Sequence, residues 1–561
     1  MSTESSSPVR SFINQPEDFL AEALGGIVAA QPDAQWHDEG FVARSSELVT
    51  ETGEPAVAVI SGGGSGHEPL HVGFVGRGML AAAVPGHVFT SPNALQIQAA
   101  TEFADQGRGV LQVVKNYTGD VMNFQVARAA LKDHDVAAVI VADDVATESD
   151  AGGPGRRGIL GTVIVEKVAG AAAERGCDLA EVTAVAERAA AGTRSMSVAL
   201  APGHLPTSGR DTFDLPEGKM ELGVGIHGER GTDRVPAEPA DKIVADLLDR
   251  ITDSLAEAKL DPADGVVLTV GGLGATTVAE THLVYGAALR WLAQKNIPVR
   301  RGIVSPLVTA VNMAGVSICL TVADEELLEL IDAPTDAPAW PRTISSGEEF
   351  APARMNFDDD DLPQGDENAW ISGFVSRVVG ALADLTELDR EAGDGDFGTN
   401  MGAAMGDLEL PLHGTNAELL GVLSRRFLVR SGGTSGAVFG TLFRDLATAF
   451  EENDSFAGAL ADGLETAVRD ITDLGGAKRG DNTMMDALIP AAEAARQASD
   501  EDLLADIFAA AAEGARSTRD LVAKKGRASY VGESSKGVID PGSIVTAWLF
   551  GGEGELGEFG A

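Results

Sequence analysis

Residues 333–367 divide this chain into two stretches whose hydrophobic patterns call for different kinds of core. Pro334, Pro338, Pro341, Pro352 and Pro363 fall there, and Asp358 to Asp361 form an unbroken acidic run. A segment of that composition cannot bury a core of its own and reads as a linker. Before it, short β-branched runs alternate with helical periods. After it, hardly any strand pattern remains. Residues 10–335 therefore read as an α/β domain of two lobes with a break near 190–200, residues 336–367 as the linker, and residues 368–561 as an all-helical domain. A length of 561 residues fits that count of domains.

In the first half, a helix is expected over Pro16 to Ala30. A buried strand, Ala56 to Ile60, then runs into what reads as a glycine turn, Ser61-Gly-Gly-Gly-Ser-Gly-His-Glu-Pro69. Further strands are expected at Val110 to Val114, Val136 to Val141, around Val198, at Val266 to Val270 and at Val316 to Leu320. Helical periods cover Asn93 to Gln106 and Val121 to Asp133. In such α/β arrangements ligands bind beyond the C-terminal ends of the strands. In the last third, helices are expected over 370–388, 399–408, 415–430, 436–451, 455–473, 480–498, 501–516 and 541–550.

Charge narrows the partners. Lys and Arg number 42 against 85 Asp and Glu, a formal charge of -43. A general nucleic-acid footprint is excluded, and attraction to an anionic membrane is disfavoured. A nucleotide would have to be held by local donors and a metal, against the overall field. Met1 to Pro8 is Ser-rich and lacks the apolar core of a signal peptide, and no apolar run reaches membrane-spanning length. Cys177 and Cys319 are too few and too far apart for a disulfide framework or a zinc site. A cytoplasmic location is the expectation.

The stretch Thr386-Glu-Leu-Asp-Arg-Glu-Ala-Gly-Asp-Gly-Asp-Phe-Gly-Thr-Asn400 carries the strongest chemical signal. Asp389 closes a helical period, and Gly393, Gly395 and Gly398 let the chain turn tightly after it. Asp389, Asp394 and Asp396 can then converge, and a hard cation would relieve their repulsion. A calcium EF-hand starting at Asp394 fails, because its fifth and twelfth positions are Gly398 and Met405. Ser431-Gly-Gly-Thr-Ser-Gly436 lies between two expected helices, so its N–H groups and the hydroxyls of Thr434 and Ser435 form a candidate anion cradle. Gly475 to Asp486 and Gly526 to Tyr530 read as further loops of that kind. Neither a Walker A pattern nor a GxGxxG fingerprint is present.

In the first half, Gly64, His67, Lys115, Asp120 and His227 are the candidates. Lys115 and Asp120 flank Asn116-Tyr-Thr-Gly at a strand end, and His227 sits between glycines in Gly225-Ile-His-Gly228. His71, His87 and His204 read as structural.

Together these motifs, in this order, resemble the dihydroxyacetone kinase family, and in particular its single-chain ATP-dependent type, from about residue 12 to 550. The resemblance implies that the α/β half binds a short-chain ketose and that the helical half is an eight-helix barrel binding ATP. It implies that His227 adds to the substrate carbonyl as a hemiaminal, a bond that glycerol, lacking a carbonyl, cannot form. Asp120 matches the general base, His67 a hydrogen-bonding partner of the substrate, and Gly64 and Lys115 further substrate contacts. Asp389, Asp394 and Asp396 match magnesium ligands. Asn400, Thr434, Ser435, Gly475, Met484, Asp540 and Gly542 match phosphate and nucleotide contacts. A homodimer is also implied.

Two positions depart from the family pattern: Phe397 stands where His is usual, and Ser534 where Arg is usual. Lys478, Arg479 and Lys536 are candidates for the missing charge. The sequence leaves open dihydroxyacetone against a four-carbon ketose such as erythrulose. It also leaves open a ketose-binding regulator with an inactive kinase half, and the FAD-cyclising activity known in animal relatives.

Overall fold

The computed structural model describes residues 11–148, 155–347, 350–353, 362–498, 502–526, 529, 532–533 and 536–560. The acidic run 358–361, Ser534, Tyr530 and the Ser-rich N-terminus lie outside them. The chain falls into two compact units, Met1–Pro352 and Ala353–Ala561.

The first unit opens with α1 (Phe19–Ala30) and the hairpin of β1 (Ala34–His37) and β2 (Phe41–Arg44). There follow β3 (Ala58–Ser65), β4 (Ala82–Val88), α2 (Ala94–Ala104), β5 (Val110–Lys115), α3 (Thr118–Ala130) and β6 (Val136–Val141). These strands form one sheet in the order β1-β2-β4-β3-β5-β6. The neighbours β4, β3, β5 and β6 run parallel, so their C-terminal ends share one edge. Two helices come next, α4 (Gly161–Arg175) and α5 (Leu179–Ala191). Nearly all of α4 is buried, including Glu166 and Lys167, since it packs against strands of this sheet as well as against α5.

A second sheet begins at β7 (Thr193–Ala201). The short pair β8 (His204–Leu205) and β9 (Arg210–Asp211) stands apart from it. The sheet continues with β10 (Lys219–Leu222), β11 (Asp233–Pro236), β12 (Val266–Gly272), β13 (Val299–Val304) and β14 (Ala314–Val322). Helices α6 (Ala240–Glu257) and α7 (Val278–Gln294) lie between its strands in sequence, and α8 (Glu325–Asp332) follows them. The order is β11-β10-β7-β14-β12-β13, mostly antiparallel with β12 and β13 parallel. The apolar faces of α6 and α7 cover it, burying Leu247, Leu248, Ile251, Ala288 and Leu292 against Leu268 and Ile318.

Two sequence expectations change here. The glycines after Ile60 do not form a turn: β3 continues through Gly62, Gly63 and Gly64 to Ser65. The reason is close packing. A Cβ on Gly63 would come within 1.9 Å of the Lys115 ammonium nitrogen, and one on Gly64 within 2.7 Å of the Thr90 backbone nitrogen. The start of the expected linker is also packed rather than free. Asp336 N–H donates to Arg77 O at 3.0 Å, Ala339 N–H to Gly73 O at 3.0 Å, and Trp340 is buried in the first unit's core.

The second unit is helical: α9 (Ala369–Gly380), α10 (Leu382–Glu391), α11 (Phe397–Met405), α12 (Asn416–Arg430), α13 (Gly433–Glu452), α14 (Phe456–Gly475), α15 (Met485–Ala495), α16 (Leu503–Ser517) and α17 (Pro541–Trp548). Consecutive helices from α10 onwards pack on one another, and α17 returns to touch α9 and α10. The helix expected over 370–388 is two, because the backbone at Ala381 leaves helical geometry.

Candidate active site

The first unit gathers its chemistry at the C-terminal edge of the parallel strands. Lys115 is the last residue of β5, Gly64 lies near the end of β3, and Asp120 sits in the first turn of α3. His67 follows β3 directly and is fully buried. Its Nδ1 donates to the Thr309 carbonyl at 2.8 Å, which leaves Nε2 as an acceptor with no protein partner. Burial, reinforced by His227 and Lys115 nearby, holds His67 well below the usual imidazole range, so the ring is neutral.

His227 comes from the loop after β10. Its imidazole meets the His67 ring edge-on at 4.6 Å between centroids, Tyr117 at 4.4 Å and Phe89 at 5.8 Å, while His67 stacks on Phe89 at 5.1 Å. Behind it stands Glu229, whose Oε2 accepts the His227 backbone N–H at 2.8 Å and whose Oε1 lies 3.6 Å from Nδ1. Burial works against ionising Glu229, yet the His227 contacts and the Arg157 charge outweigh it, and its carboxyl is drawn down to about 2. A carboxylate on the Nδ1 side favours the tautomer with its lone pair on Nε2.

Asp120 is almost fully buried, and neither carboxylate oxygen has a hydrogen-bond partner; Lys115 Nζ lies 3.6 Å away. Buried polar atoms without partners are rare in folded proteins and point to a ligand. His67 Nε2, both Asp120 oxygens and the Tyr117 hydroxyl are such atoms here. Tyr117, Phe89 and Glu229 were not singled out by sequence reasoning, although Tyr117 and Glu229 each lie within three residues of a residue that was. His71, read from sequence as structural, is buried with both ring nitrogens partnered: its Nε2 lies 2.8 Å from Lys115 Nζ and its Nδ1 2.6 Å from Glu166 Oε1.

In the second unit one cavity of about 710 Å³ is lined by Asp389, Asp394, Asp396, Asn400, Thr434, Ser435, Gly475, Met484, Asp540 and Gly542. Every nucleotide and metal residue expected from sequence is among them. Ligand oxygens of Asp389, Asp394 and Asp396 lie within 4.8 Å of one another. Three carboxylates at that spacing are a donor set of hard oxygens that fits Mg2+. Gly432 and Gly433 open the 20-residue helix α13 on the same cavity, with Thr434 and Ser435 in its first turn. Free backbone N–H groups and the helix dipole there suit an anion.

Asp540 caps α17, accepting the Ser543 N–H at 2.6 Å. Burial pushes its carboxyl up to about 6, with repulsion from Asp486 and Asp389 adding to the rise and the Ser543 contacts opposing it. Phe397 is buried, lines the cavity and packs against Phe439 at 6.2 Å between ring centroids, so it forms an apolar wall of the cavity. None of the three candidate cations lines this cavity. The Lys or Arg that does, among the described residues, is Lys525, whose Nζ donates to the Gly475 carbonyl at 3.0 Å. Arg479 pairs instead with Glu493 at 3.5 Å.

Residues 25–339 match the family model described as the Dak1 domain, and residues 391–553 that described as the DAK2 domain. The chain is 34% identical over 568 residues to Triokinase/FMN cyclase of Rattus norvegicus, covering 96% of this chain and 97% of the relative. It is 35% identical over 567 residues to L-erythrulose 1-kinase of Mycolicibacterium smegmatis, covering 97% and 99%. The crystal structure of the dihydroxyacetone kinase from C. freundii in complex with AMP-PNP and Mg2+ matches with a TM-score of 0.62 and 32% identity, covering 97% of this chain and 98% of that one.

Proposed function

This chain belongs to the dihydroxyacetone kinase family, with a Dak1 and a DAK2 domain in one polypeptide, and on that premise we propose that it transfers the γ-phosphoryl of ATP to a terminal hydroxyl of dihydroxyacetone. The observation that carries the substrate reading is the His227 ring, framed by His67, Tyr117 and Phe89 and backed by the Glu229 carboxylate.

The Nε2 lone pair of His227 attacks the ketone carbon, and the C–N bond forms as the C=O π bond breaks. The alkoxide oxygen takes a proton from water, and the Nδ1 proton is released to water on the Glu229 side, so that the hemiaminal is neutral overall. Glu229 steadies the charge that builds on the ring until that proton leaves. The neutral His67 accepts a hydrogen bond from a sugar hydroxyl through Nε2. Asp120 takes the proton from the terminal hydroxyl as that oxygen attacks phosphorus, with Lys115 Nζ 3.6 Å from its carboxylate. Gly64 keeps the strand edge close-packed beside the sugar.

In the helical unit, Asp389, Asp394 and Asp396 would hold Mg2+, which when bound neutralises phosphate charge. The N–H groups at the start of α13, with Thr434 and Ser435, hold phosphate oxygens. Asn400, Gly475, Met484, Asp540 and Gly542 line the rest of the nucleotide site. The return of α17 to α9 supports a closed helical barrel, with the α9–α10 pair acting as one broken stave. Residues 10–335 as the ketose domain, 368–561 as the ATP domain and the remaining segment between them complete the assignment, with a homodimer and a cytoplasmic setting. Among the described residues no helix is long and apolar enough to cross a membrane.

A four-carbon ketose is the second reading, favoured by a relative named L-erythrulose 1-kinase at 35% identity. Steady-state kinetics with MgATP on dihydroxyacetone, both erythruloses, glyceraldehyde and glycerol tests both. Dihydroxyacetone is expected to have the highest kcat/KM; an erythrulose ahead by about tenfold, ~1.4 kcal/mol in the barrier, would replace it. Mass spectrometry of the protein–ketose complex is expected to place the adduct on His227.

A further inference from the structure

Behind the proposed base lies a line of four buried titratable groups that the mechanism above uses only in part. Asp120 Oδ2 is 3.6 Å from Lys115 Nζ, Lys115 Nζ is 2.8 Å from His71 Nε2, and His71 Nδ1 is 2.6 Å from Glu166 Oε1. Lys115 and Glu166 are completely buried, and Asp120 and His71 nearly so. The four come from β5, the loop after β3, α3 and α4, so the line is a tertiary construction. Glu166 Oε2 has no hydrogen-bond partner. An acid in the middle of a buried helix, with a basic chain leading from it to a substrate-facing carboxylate, is costly to keep unless it serves the site.

We propose that Glu166 is a positioning residue for phosphoryl transfer, sharing one proton with Lys115 through His71 and thereby setting the charge beside Asp120. The inference rests on the kinase reading, with Asp120 as base.

The line has two arrangements that hold the same protons. In one, Lys115 is an ammonium donating to His71 Nε2, His71 carries its proton on Nδ1, and Glu166 is a carboxylate. In the other, the Lys115 proton has passed to Nε2, the Nδ1 proton has passed to Glu166, and Lys115 is a neutral amine. The first suits an ionised Asp120, which then faces a cation. When Asp120 accepts the substrate proton, the second removes that cation, and all four groups become neutral. The only proton gained by the four groups is the one the sugar hydroxyl loses. Shifting the positive charge away as Asp120 is protonated strengthens Asp120 as a base in a site from which water is excluded.

The environment permits this exchange. Burial pushes Glu166 up to about 8, with Ser61 and Lys115 opposing. Burial, with Lys115 and His67 adding to it, pushes His71 well down, so the imidazole passes a proton on without holding a second. His67 is a titratable neighbour of the line, and His227 lies beyond it; Ser61 and the Gly62 carbonyl are polar neighbours.

The test is Glu166→Gln in the full chain, which keeps shape but cannot take the proton. With MgATP and dihydroxyacetone, kcat is expected to fall at least tenfold, with KM for the ketose within about twofold because His227 is untouched. The limb of the wild-type pH–rate profile near pH 8 is expected to disappear. A variant that is merely less stable would keep the profile's shape, so an unchanged limb with unchanged kcat overturns the inference. If Glu166→Gln does not fold, His71→Gln cuts the line in its middle and is expected to give the same split; a wild-type profile there overturns the inference equally. A wild-type enzyme that phosphorylates no ketose would overturn the functional reading itself, and this inference with it.

Discussion

Asp389 and Gly395 are joined by a hydrogen bond of 2.7 Å from the Gly395 N–H to Asp389 Oδ2, and the same oxygen accepts the Phe397 N–H at 3.0 Å. One carboxylate oxygen thus ties down the loop carrying Asp394 and Asp396, while the Asp389 side chain also belongs to the cluster proposed to hold a cation. The three acids are therefore unequal: Asp389 builds the loop as well as being a proposed ligand of the ion.

Asp394→Asn should remove charge from the cluster without dismantling the loop. The Mg2+ concentration for half-maximal rate is expected to rise at least about tenfold, ~1.4 kcal/mol of cation binding, with the unfolding midpoint little changed. Asp389→Ala should show both the rise and a lower midpoint. Titrating activity against Mg2+ beside thermal unfolding separates the two; wild-type Mg2+ dependence in Asp394→Asn would remove it from the metal site.

His227→Ala should erase the advantage of a ketose over glycerol. If the carbonyl bond supplies the discrimination, the ratio of kcat/KM for dihydroxyacetone over glycerol is expected to drop by about a hundredfold or more, ~2.7 kcal/mol. Discrimination that survives in a folded variant would mean that hydroxyl contacts alone select the substrate.

The main lines of this arrangement are legible in local sequence, and the exceptions share one cause. The Asp389–Asp396 turn and the Gly432–Ser435 helix start are written in contiguous residues, so spacing alone exposes them. Residues 61–64 mislead because glycine clusters signal turns, whereas here they admit Lys115 and the backbone at Thr90 from other elements. Lys525 and Glu166 are invisible for the same reason: each matters through partners 50 or more positions away. A charge in the midst of an apolar helix was the one signal that could have exposed Glu166. The break between α9 and α10 falls at Gly380-Ala381, where the helical period runs on and a single glycine is too weak a signal to mark it.

Lys525→Met should weaken nucleotide binding. In a chain of charge -43, the cation lining the proposed nucleotide cavity acts against the overall field. KM for ATP is expected to rise about tenfold while KM for the ketose stays put, and the penalty should shrink at high salt as the lost attraction is screened. An ATP KM indifferent to the substitution would assign Lys525 to the Gly475 carbonyl alone.

His67→Asn should flatten the acid limb of stability. The buried His67 is held well below the ordinary imidazole value, so under mild acid the unfolded chain binds a proton that the native chain refuses. Stability rises with pH wherever the unfolded state binds more protons; this contribution is complete above about pH 6.5 and is lost as pH falls through it. His71 acts in the same direction. Glu166 acts oppositely, since its folded value of about 8 exceeds the unfolded one, and its contribution is lost as pH rises between about 4.5 and 8. The wild-type slope is therefore a partial cancellation, and the comparison must be made between wild type and variant. From pH 7 to 5.5 wild type is expected to lose about 1 kcal/mol more than His67→Asn in urea unfolding. Parallel losses would mean that His67 takes up its proton in the folded protein, and the neutral acceptor assigned to its Nε2 would have to be given up.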